Sequence, residues 1–394
     1  MKVVVAHNRY ASGQPSGENV IVDTEMAQLA AAGVEVVPFS RSSDEIATLP
    51  AAQKALLPMS PIYNGWSQRR LAELIRTERP DVLHLHNPYP LLSPWVVRTA
   101  QRAGVPVIQT VHNYRQVCAP GVYYRDGHLC TDCKGRRFPL PAIQHACYRG
   151  SRPQSAILAT ALAVHRRTWL GVDRYIALTD AIAEHLREYG IAAQRITVKA
   201  NAIPDPGAPS PAPAGGGFLL AGRLAPEKGL GLLLQAWQTH PDGSLGTLRI
   251  AGDGPQRDLA VAAAAARSDV EYLGGLDRSA THAAIRAASC VIAPSRWHDV
   301  LPTIVGEALA SGRPVLGTNL GGIPYLVGDA GWIVEPTVDG LAAALPIAAQ
   351  ETAGAGASAW GAAARSRYQH NFAPDVLTAR LLKTYAEVAG GRDE

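Results

Sequence analysis

Short apolar runs alternate with helix-period segments along this chain. The chain opens with Lys2-Val3-Val4-Val5-Ala6, passes through a polar loop into a helical stretch over about 18–32, and returns to an apolar run at 34–39. Similar runs recur at 81–85, 105–108 and 174–178. Strands that alternate with helices are typical of a parallel sheet covered by helices. The pattern therefore predicts a doubly wound α/β domain.

A break rich in proline and glycine divides the chain. Residues 204–217 contain five prolines followed by three consecutive glycines, which exclude a helix or a central strand. Beyond the break the apolar runs restart at 218–221, 248–251, 270–273, 290–293 and 314–317. We therefore predict two Rossmann-like domains that face a central cleft: an N-terminal domain at 1–203, a linker at 204–217, a C-terminal domain at 218–365, and a helix at 366–394 that crosses back to the N-terminal domain.

Composition and charge narrow the class of protein. Of the 394 residues, 47% are hydrophobic and 18% charged, the balance of a soluble α/β protein. No run reaches the roughly 18 uncharged apolar residues that cross a bilayer, so we expect a cytoplasmic protein. The net charge of +4 argues against a nucleic-acid partner. The positive charge is concentrated between Arg115 and Arg174, where ten residues are basic and three are acidic. Such a segment could bind a phosphorylated substrate or an anionic membrane surface. The alternative is a solvated loop with scattered arginines.

Two cations follow the first apolar run of the second domain. Gly222 frees the backbone after the run at 218–221, and Arg223 and Lys228 then come before a helix expected from about Lys228. Two positive charges at the N-terminus of a helix suit a diphosphate, because the charges and the helix dipole act on the same anion. The alternative is a pair of solvated charges in a βα turn.

Two carboxylates flank the start of another predicted helix. Asp299 lies in a loop, the helix is expected to begin near Pro302, and Glu307 lies inside it. Between them, the free amides near Thr303 and Ile304 can receive phosphate oxygens. Carboxylates accept hydrogen bonds from vicinal hydroxyls, so this segment suits a ligand with an anion between two hydroxyl-rich groups. A sugar nucleotide has that arrangement.

Taken together, these segments resemble the retaining GT-B glycosyltransferases of glycosyltransferase family 4. The resemblance covers about residues 2–380. Its motifs are the Gly13/Gly17 loop, His84-Leu85-His86-Asn87, Thr110-Val111-His112-Asn113-Tyr114-Arg115, Arg223…Lys228, Gly252-Asp253-Gly254-Pro255, Pro294-Ser295 and Asp299-x7-Glu307.

The resemblance implies roles for individual residues. Arg223 and Lys228 would bind the donor diphosphate, and Glu307 the ribose hydroxyls. Asp299 would hold the donor sugar, and His112 would reach the sugar and diphosphate from the opposite domain. The remaining donor-binding residues implied are Gly17, Gly254, Leu301, Thr303 and Ile304. Two departures leave the donor sugar open: Asp299 and Tyr325 each stand where the family usually has Glu.

The implied function is transfer of a hexosyl-type group from a nucleoside diphosphate sugar to a hydroxyl of a glycan, a glycolipid or a small molecule. The family chemistry requires no metal cofactor, and the sequence has no strong Asp-x-Asp metal motif. One alternative is an epimerase or hydrolase of nucleotide sugars with the same architecture. The other is a non-catalytic protein that binds nucleotide sugars.

A cysteine-containing basic insert occupies about 113–153. It contains Cys118, Cys130, Cys133 and Cys147, for which the open alternatives are a structural zinc site, reduced thiols and a redox role. Because the insert follows His112, we expect it near the face where such enzymes admit the acceptor. Cys290 lies in an apolar run and is expected in the core.

An apolar segment at 156–170 ends in cations. We predict a helix that packs against the sheet. The alternative is a peripheral contact with the inner face of the cell membrane, which would bring the enzyme to a lipid-linked acceptor.

Overall fold

The chain folds into two units. The structure is a computed structural model that describes residues 1–13, 17–211, 215–354 and 356–390. The first unit comprises Met1–Tyr123, Cys130–Asn201 and Leu377–Glu394, and the second comprises Tyr124–Leu129 and Ala202–Val376. Residues 212–214 of the predicted linker and residues 391–394 of the predicted last helix lie outside the described residues.

The strands form two six-stranded parallel sheets and one short antiparallel hairpin. In chain order they are β1 Lys2–Arg9, β2 Glu35–Ser42, β3 Val82–Leu85, β4 Val107–Val111, β5 Tyr124–Arg125, β6 His128–Leu129, β7 Arg174–Ala177, β8 Ile196–Val198, β9 Phe218–Ala221, β10 Leu248–Ala251, β11 Val270–Gly274, β12 Cys290–Ala293, β13 Val315–Thr318 and β14 Gly331–Val334. Strands β5 and β6 form the hairpin, which lies inside the cysteine-containing insert.

Helices separate most of these strands. In chain order they are α1 Gly17–Ala31, α2 Glu45–Thr48, α3 Ala51–Leu56, α4 Gly65–Glu78, α5 Trp95–Arg102, α6 Leu140–Gln144, α7 Arg152–Val164, α8 Arg166–Leu170, α9 Asp180–Tyr189, α10 Leu230–Gln238, α11 Arg257–Ala266, α12 Arg278–Ala287, α13 Thr303–Ala310, α14 Ile323–Val327, α15 Val338–Glu351, α16 Gly356–Asn371 and α17 Pro374–Gly390. Short 3₁₀ turns occur at Leu57–Met59, Ala193–Arg195 and Pro226–Lys228.

The strand orders identify both sheets as doubly wound. The first sheet runs β2-β1-β3-β4-β7-β8, and the second runs β11-β10-β9-β12-β13-β14. Each order reverses once, between β1 and β3 in the first sheet and between β9 and β12 in the second. The predicted class, two doubly wound parallel α/β domains, is confirmed.

Each sheet has its own hydrophobic core. In the first unit, Val5 and Ile108 of the sheet pack with Leu381 and Tyr385 of α17, the last helix of the chain. In the second unit, Phe218 of β9 lies in the core formed by the sheet and its helices. Both faces of a parallel sheet are covered, which explains why the central strands are continuous apolar runs.

Some predicted elements differ from the observed ones. The predicted helix at 156–170 is two helices, because α7 ends at Val164 and α8 begins at Arg166. Between them, the buried His165 side chain donates a hydrogen bond from Nε2 to the Ile62 carbonyl oxygen at 2.7 Å. The predicted helix at 366–394 is also two, since proline at position 374 cannot continue a helix and instead begins α17. The helix expected from Lys228 begins at Leu230, after Gly229 with φ of +83°.

Candidate active site

The point where the strand order of the second sheet reverses brings two polar loops together. Strands β9 and β12 are neighbours there, with Phe218 paired to Cys290 and Leu219 paired to Val291. In a doubly wound sheet, ligands bind beyond the carboxyl ends of the strands at this point. The loop after β9 carries Arg223 and Lys228, and the loop after β12 carries Asp299. The fold therefore places these three predicted residues at the edge of the sheet where doubly wound domains bind ligands.

Lys228 and Asp299 are in direct contact. The Lys228 ammonium lies 2.5 Å from Asp299 Oδ2, and the Asp299 side chain is only 10% exposed. Gly229 makes this approach feasible, because a Cβ there would collide with the carbonyl oxygen of Pro294 at the end of β12. The sequence predicted both residues at one site but not that they would form an ion pair.

Arg223 is more exposed than Lys228. Its guanidinium lies 2.5 Å from Glu227 Oε1, and its side chain is 59% exposed. The turn after β10 supports the same loop, since the amide of Leu224 donates to the Asp253 carbonyl oxygen at 2.8 Å. Gly254 belongs to that turn, at φ of +149°, and its Cα lies close to the backbone of Leu224. Gly254 is thus beside the cationic loop.

Helix α13 begins at Thr303, four positions after Asp299. Leu301 is buried, Thr303 is exposed and Ile304 is partly buried. The first amides of a helix have no partner within it, so those of Thr303 and Ile304 are available to an anion. Glu307 lies one turn further along, partly exposed, and makes no side-chain hydrogen bond or ion pair among the residues that the structure describes.

The Gly321-Gly322 loop fixes the backbone beside Asp299. The amide of Gly322 donates to the Asp299 carbonyl oxygen at 2.7 Å. Gly321 has φ of +59°, and a Cβ there would collide with the Asp299 backbone, so only glycine is accommodated. Tyr325 lies in α14, which follows this loop.

In the first unit, the strand order reverses between β1 and β3. Gly17 is the first residue of α1 after β1, and a Cβ added there would meet no atom of the described residues within 4 Å. His86 follows β3 and His112 follows β4, and the two rings stack with centroids 5.2 Å apart. Nδ1 of His86 lies 2.9 Å from Nε2 of His112, within hydrogen-bond distance. Gly17 and His112 therefore both lie at the carboxyl end of this sheet.

Behind His86 lies a buried ion pair. The Lys199 ammonium lies 2.7 Å from Glu25 Oε2, and the two side chains are 2% and 9% exposed. The other carboxylate oxygen, Glu25 Oε1, lies 3.5 Å from His86 Nε2 and 3.6 Å from His84 Nδ1. Neither Glu25 Oε1 nor His86 Nε2 has a hydrogen-bond partner among the described residues.

Electrostatics keep these histidines neutral. Burial lowers the pKa of His84 to about 4 and that of His112 to about 4, and burial also depresses the pKa of His86. Burial alone would raise the pKa of the Glu25 carboxyl, but the Lys199 ammonium opposes it, and the pKa lies below its ordinary value. The pair is thus a carboxylate and an ammonium.

Three side chains of this buried network are of the types that bind metal ions. Among the described residues, Glu25, His84 and His86 form the one set of three or more His, Cys, Asp or Glu ligand atoms within 4.8 Å of one another. Lys199 already neutralises Glu25, and the Tyr385 hydroxyl lies 2.7 Å from His84 Nδ1. These contacts describe a hydrogen-bonded network better than a metal centre. Cys118, Cys130, Cys133 and Cys290 are free thiols, and Cys290 is fully buried.

Sequence reasoning missed Glu25 and Lys199, and assigned no role to His86. One signal was present for two of them: His86 and Lys199 are polar residues placed directly after the apolar strands β3 and β8. No local signal marks Glu25, which lies 174 positions from Lys199 in the chain.

No helix in the described part of the chain is both long and apolar enough to span a membrane.

Both halves of the chain match family models of glycosyltransferases. Residues 16–202 match the model of the glycosyl transferase 4-like domain, and residues 216–349 match the model of glycosyl transferases group 1. The chain is similar to an exopolysaccharide phosphotransferase of Streptomyces coelicolor, with 29% identity over 57% of this chain and 24% of the relative. It is also similar to the phosphatidyl-myo-inositol mannosyltransferase of Mycolicibacterium smegmatis, with 29% identity over 42% of this chain and 43% of the relative. The matched segments span less than half the length of these curated relatives.

Solved structures resemble the whole chain. The sucrose-phosphate synthase of Thermosynechococcus elongatus has a TM-score of 0.70 at 18% identity and covers 99% of both chains. The HepE protein of Anabaena, in complex with UDP, has a TM-score of 0.61 at 15% identity and covers 98% of this chain and 100% of its own. At these identities, the likeness shows a shared fold.

Proposed function

Because this chain belongs to the glycosyl transferases group 1, the retaining GT-B glycosyltransferases of family 4, we propose that it transfers a sugar from a nucleoside diphosphate sugar to an acceptor hydroxyl. Its family transfers sugars from nucleotide-sugar donors and generally needs no metal ion for the reaction. One observation carries the proposal for this chain: two cations, a helix N-terminus and two carboxylates gather where the second sheet reverses its strand order.

In the proposed mechanism, the donor diphosphate is the leaving group. Arg223, Lys228 and the amides of Thr303 and Ile304 stabilise the charge that develops on it, which is the largest electrostatic demand of the step. The acceptor attacks from the face that the diphosphate leaves, and an oxygen of the departing β-phosphate takes the acceptor proton. Configuration at the sugar carbon is thereby retained.

The other predicted residues bind the donor and do not stabilise the charge of the leaving group. We propose that Glu307 accepts hydrogen bonds from the ribose hydroxyls, and that Asp299 contacts the donor sugar while it orients the Lys228 ammonium. Gly17 and Gly254 let the backbone approach the donor, Leu301 lies beside it, and His112 contacts the transferred sugar. The cytoplasmic location stays a prediction.

A thermal-shift screen against UDP, GDP and ADP sugars tests the proposal. The true donor at 100 times its dissociation constant adds about 2.7 kcal/mol to the free energy of unfolding.

In Glu307→Ala we expect nucleotide affinity to fall about 10–100-fold, the loss expected for hydrogen bonds to a charged group. The control is Glu351→Ala, an exposed residue at the end of α15. Unchanged affinity in Glu307→Ala would show that the ribose binds elsewhere.

We also propose a place for the acceptor, whose chemical class the family leaves open. A cavity of about 370 Å³ in the first unit has an apolar wall and a cationic rim. No acidic side chain lines it within the described part of the chain. The wall includes Ile46, Leu57, Ile157 and Leu158, and the rim includes Lys54 and Arg149.

This cavity adjoins His112. Tyr89 and Arg115 line it and also line a smaller cavity whose wall includes His112. Leu56 and Met59, on the segment that carries Leu57, are 69% and 52% exposed. An acceptor with a hydroxyl near His112, an anionic group beside the arginines and an apolar tail along the wall would match each part. We therefore propose an anionic amphiphile as acceptor.

Octyl phosphate below its micelle concentration is the probe for this cavity. By isothermal titration calorimetry, we expect it to bind at least about tenfold more tightly than either inorganic phosphate or octanol. Arg149→Glu should weaken binding about tenfold, whereas Arg152→Glu, an exposed cation at the start of α7 outside the lining, should not. Equal affinity for octyl phosphate and inorganic phosphate would refute the amphiphile.

For the four cysteines of the insert, we propose a structural zinc site. Burial raises the pKa of the Cys118 thiol, and the backbone amides of Gly121, Val122 and Tyr123 offset part of that effect. In the described residues no three of the four sulfur atoms lie within 4.8 Å of one another, so zinc binding has to draw them closer. Burial raises the pKa of the Cys133 thiol to about 11, so the site releases protons as it binds the ion.

Elemental analysis of the purified protein tests the zinc site. We expect about one equivalent of zinc in the wild type, lost in Cys133→Ser and kept in Cys290→Ser, because Cys290 lies in the core of the second unit. A protein that contains no metal near one equivalent has reduced thiols in the insert instead.

A further inference from the structure

A carboxylate and two imidazole rings lie in line in the first unit. Glu25 Oε1 is 3.5 Å from His86 Nε2, and His86 Nδ1 is 2.9 Å from His112 Nε2. Glu25 and His86 are 7% and 3% exposed, whereas His112 is partly exposed and lines the small cavity together with Glu18 and Arg115. The line therefore runs from the interior to a surface that substrate can reach.

The positions of the ring protons on His86 and His112 follow from the contact between Glu25 and His86. Glu25 Oε1 and His86 Nε2 face each other at 3.5 Å, and neither has a hydrogen-bond partner in the described residues. A carboxylate holds the proton of a neutral imidazole on the nitrogen that faces it. His86 therefore carries its proton on Nε2, and its Nδ1 is an acceptor. Nε2 of His112 must then be the donor between the two rings, which leaves Nδ1 of His112 without a proton.

The remaining neighbours hold this arrangement in place. Lys199 lies 2.7 Å from Glu25 Oε2 and keeps the carboxylate charged. His84 does not compete, because its Nδ1 lies 2.7 Å from the Tyr385 hydroxyl and its Nε2 lies 2.8 Å from the Thr110 hydroxyl. Of the carboxylate oxygens, Oε1 is thus left for His86.

We infer that Glu25 and His86 are positioning residues that fix His112 as the tautomer with its proton on Nε2 and present Nδ1 as an acceptor for a substrate hydroxyl. This inference rests on the proposed function only in its last step, the contact between His112 and the sugar. Glu25 and His86 act on His112 as a carboxylate acts behind a catalytic histidine, where it sets the tautomer and orientation of the ring.

A metal ion on Glu25, His84 and His86 would give the opposite result. It would occupy the lone pair of His86 Nε2 and move that ring's proton to Nδ1. His86 would then donate to Nε2 of His112, and the proton of His112 would be on Nδ1. The tautomer of His112 therefore distinguishes the two arrangements without any knowledge of the substrate.

Long-range ¹H–¹⁵N NMR spectra of protein labelled with ¹⁵N-histidine report that tautomer. The signals of His112 are assigned by their loss in His112→Gln. We expect the Nε2-protonated form in the wild type and a mixture of both tautomers in His86→Phe and in Glu25→Gln. His185→Gln, which alters another buried histidine of the first unit, is the control and should leave the His112 signals unchanged. Should Glu25→Gln fail to fold, Glu25→Gln/Lys199→Met removes both charges together.

The Nδ1-protonated form in the wild type, or an unchanged tautomer in both variants, would overturn the inference. With the donor found by thermal shift, Glu25→Gln/Lys199→Met should lower kcat about tenfold or more with little change in the KM of the donor, the signature of an interaction made in the transition state. The outcomes are separable from those of the proposed function: loss of all nucleotide binding would refute the transferase, while the tautomer would still be measured.

Discussion

Lys228→Ala is expected to lower turnover by about 10–1000-fold, the loss associated with removal of one charge contact to a developing anion. Lys228 approaches the end of β12 from the loop after β9, and Asp299 holds its ammonium at 2.5 Å. The initial rate is measured with the donor that gives the largest thermal shift. Since the ammonium acts on the departing diphosphate, kcat should fall more than the affinity for the intact donor.

Arg278→Ala is the matched control for this substitution. Arg278 is an exposed cation at the start of α12 and belongs to neither the loop after β9 nor the loop after β12, so its removal should leave the rate unchanged. Arg223→Ala should show a loss in the same range as Lys228→Ala. Wild-type rates in both Arg223→Ala and Lys228→Ala would mean that the diphosphate binds at another place in the protein.

The second large effect concerns stability. Lys199→Met removes the cation from a pair in which Lys199 is 2% and Glu25 9% exposed. An unpaired carboxylate then remains in the interior, and breaking a buried pair in this way costs about 3–5 kcal/mol. We expect the urea midpoint of the first unit to fall accordingly, while Glu25→Gln/Lys199→Met recovers most of the loss because no uncompensated charge remains.

A surface pair in the same unit provides the comparison. Lys134 and Glu188 lie 2.6 Å apart, with side chains 41% and 40% exposed. Exposed pairs contribute about 0–1 kcal/mol, so Lys134→Met should change the midpoint little. If Lys199→Met cost no more than Lys134→Met, the Lys199–Glu25 contact would not be the buried ion pair described above.

Strands in the middle of the second sheet could be predicted closely from the sequence. The predicted bounds of β9, β10 and β12 agree with the observed ones, because both faces of these strands are covered and nearly every position is apolar. The outermost strands β8 and β14 were missed. These strands are only three and four residues long, and their residues are only partly buried.

Some residues of the candidate site could be predicted from the sequence, and others could not. Arg223, Lys228 and Asp299 could be placed together because each follows a strand, and the carboxyl ends of neighbouring parallel strands meet at one edge. Glu25 could not be joined to Lys199 and His86, because their meeting depends on how α1 packs against the first sheet. That packing is decided by contacts between distant parts of the chain, which periodicity within a segment does not encode.

The last helix also bears on how the protein is made. Leu381 and Tyr385 of α17 complete a core whose other members include Val3 and Val5 at the start of the chain. A ribosome that synthesises this protein releases the second unit, residues 202–376, before it releases the helix that the first unit needs. The half that is translated first therefore completes its core only after the second unit has been released, and its apolar sheet must be shielded in the nascent chain until α17 emerges.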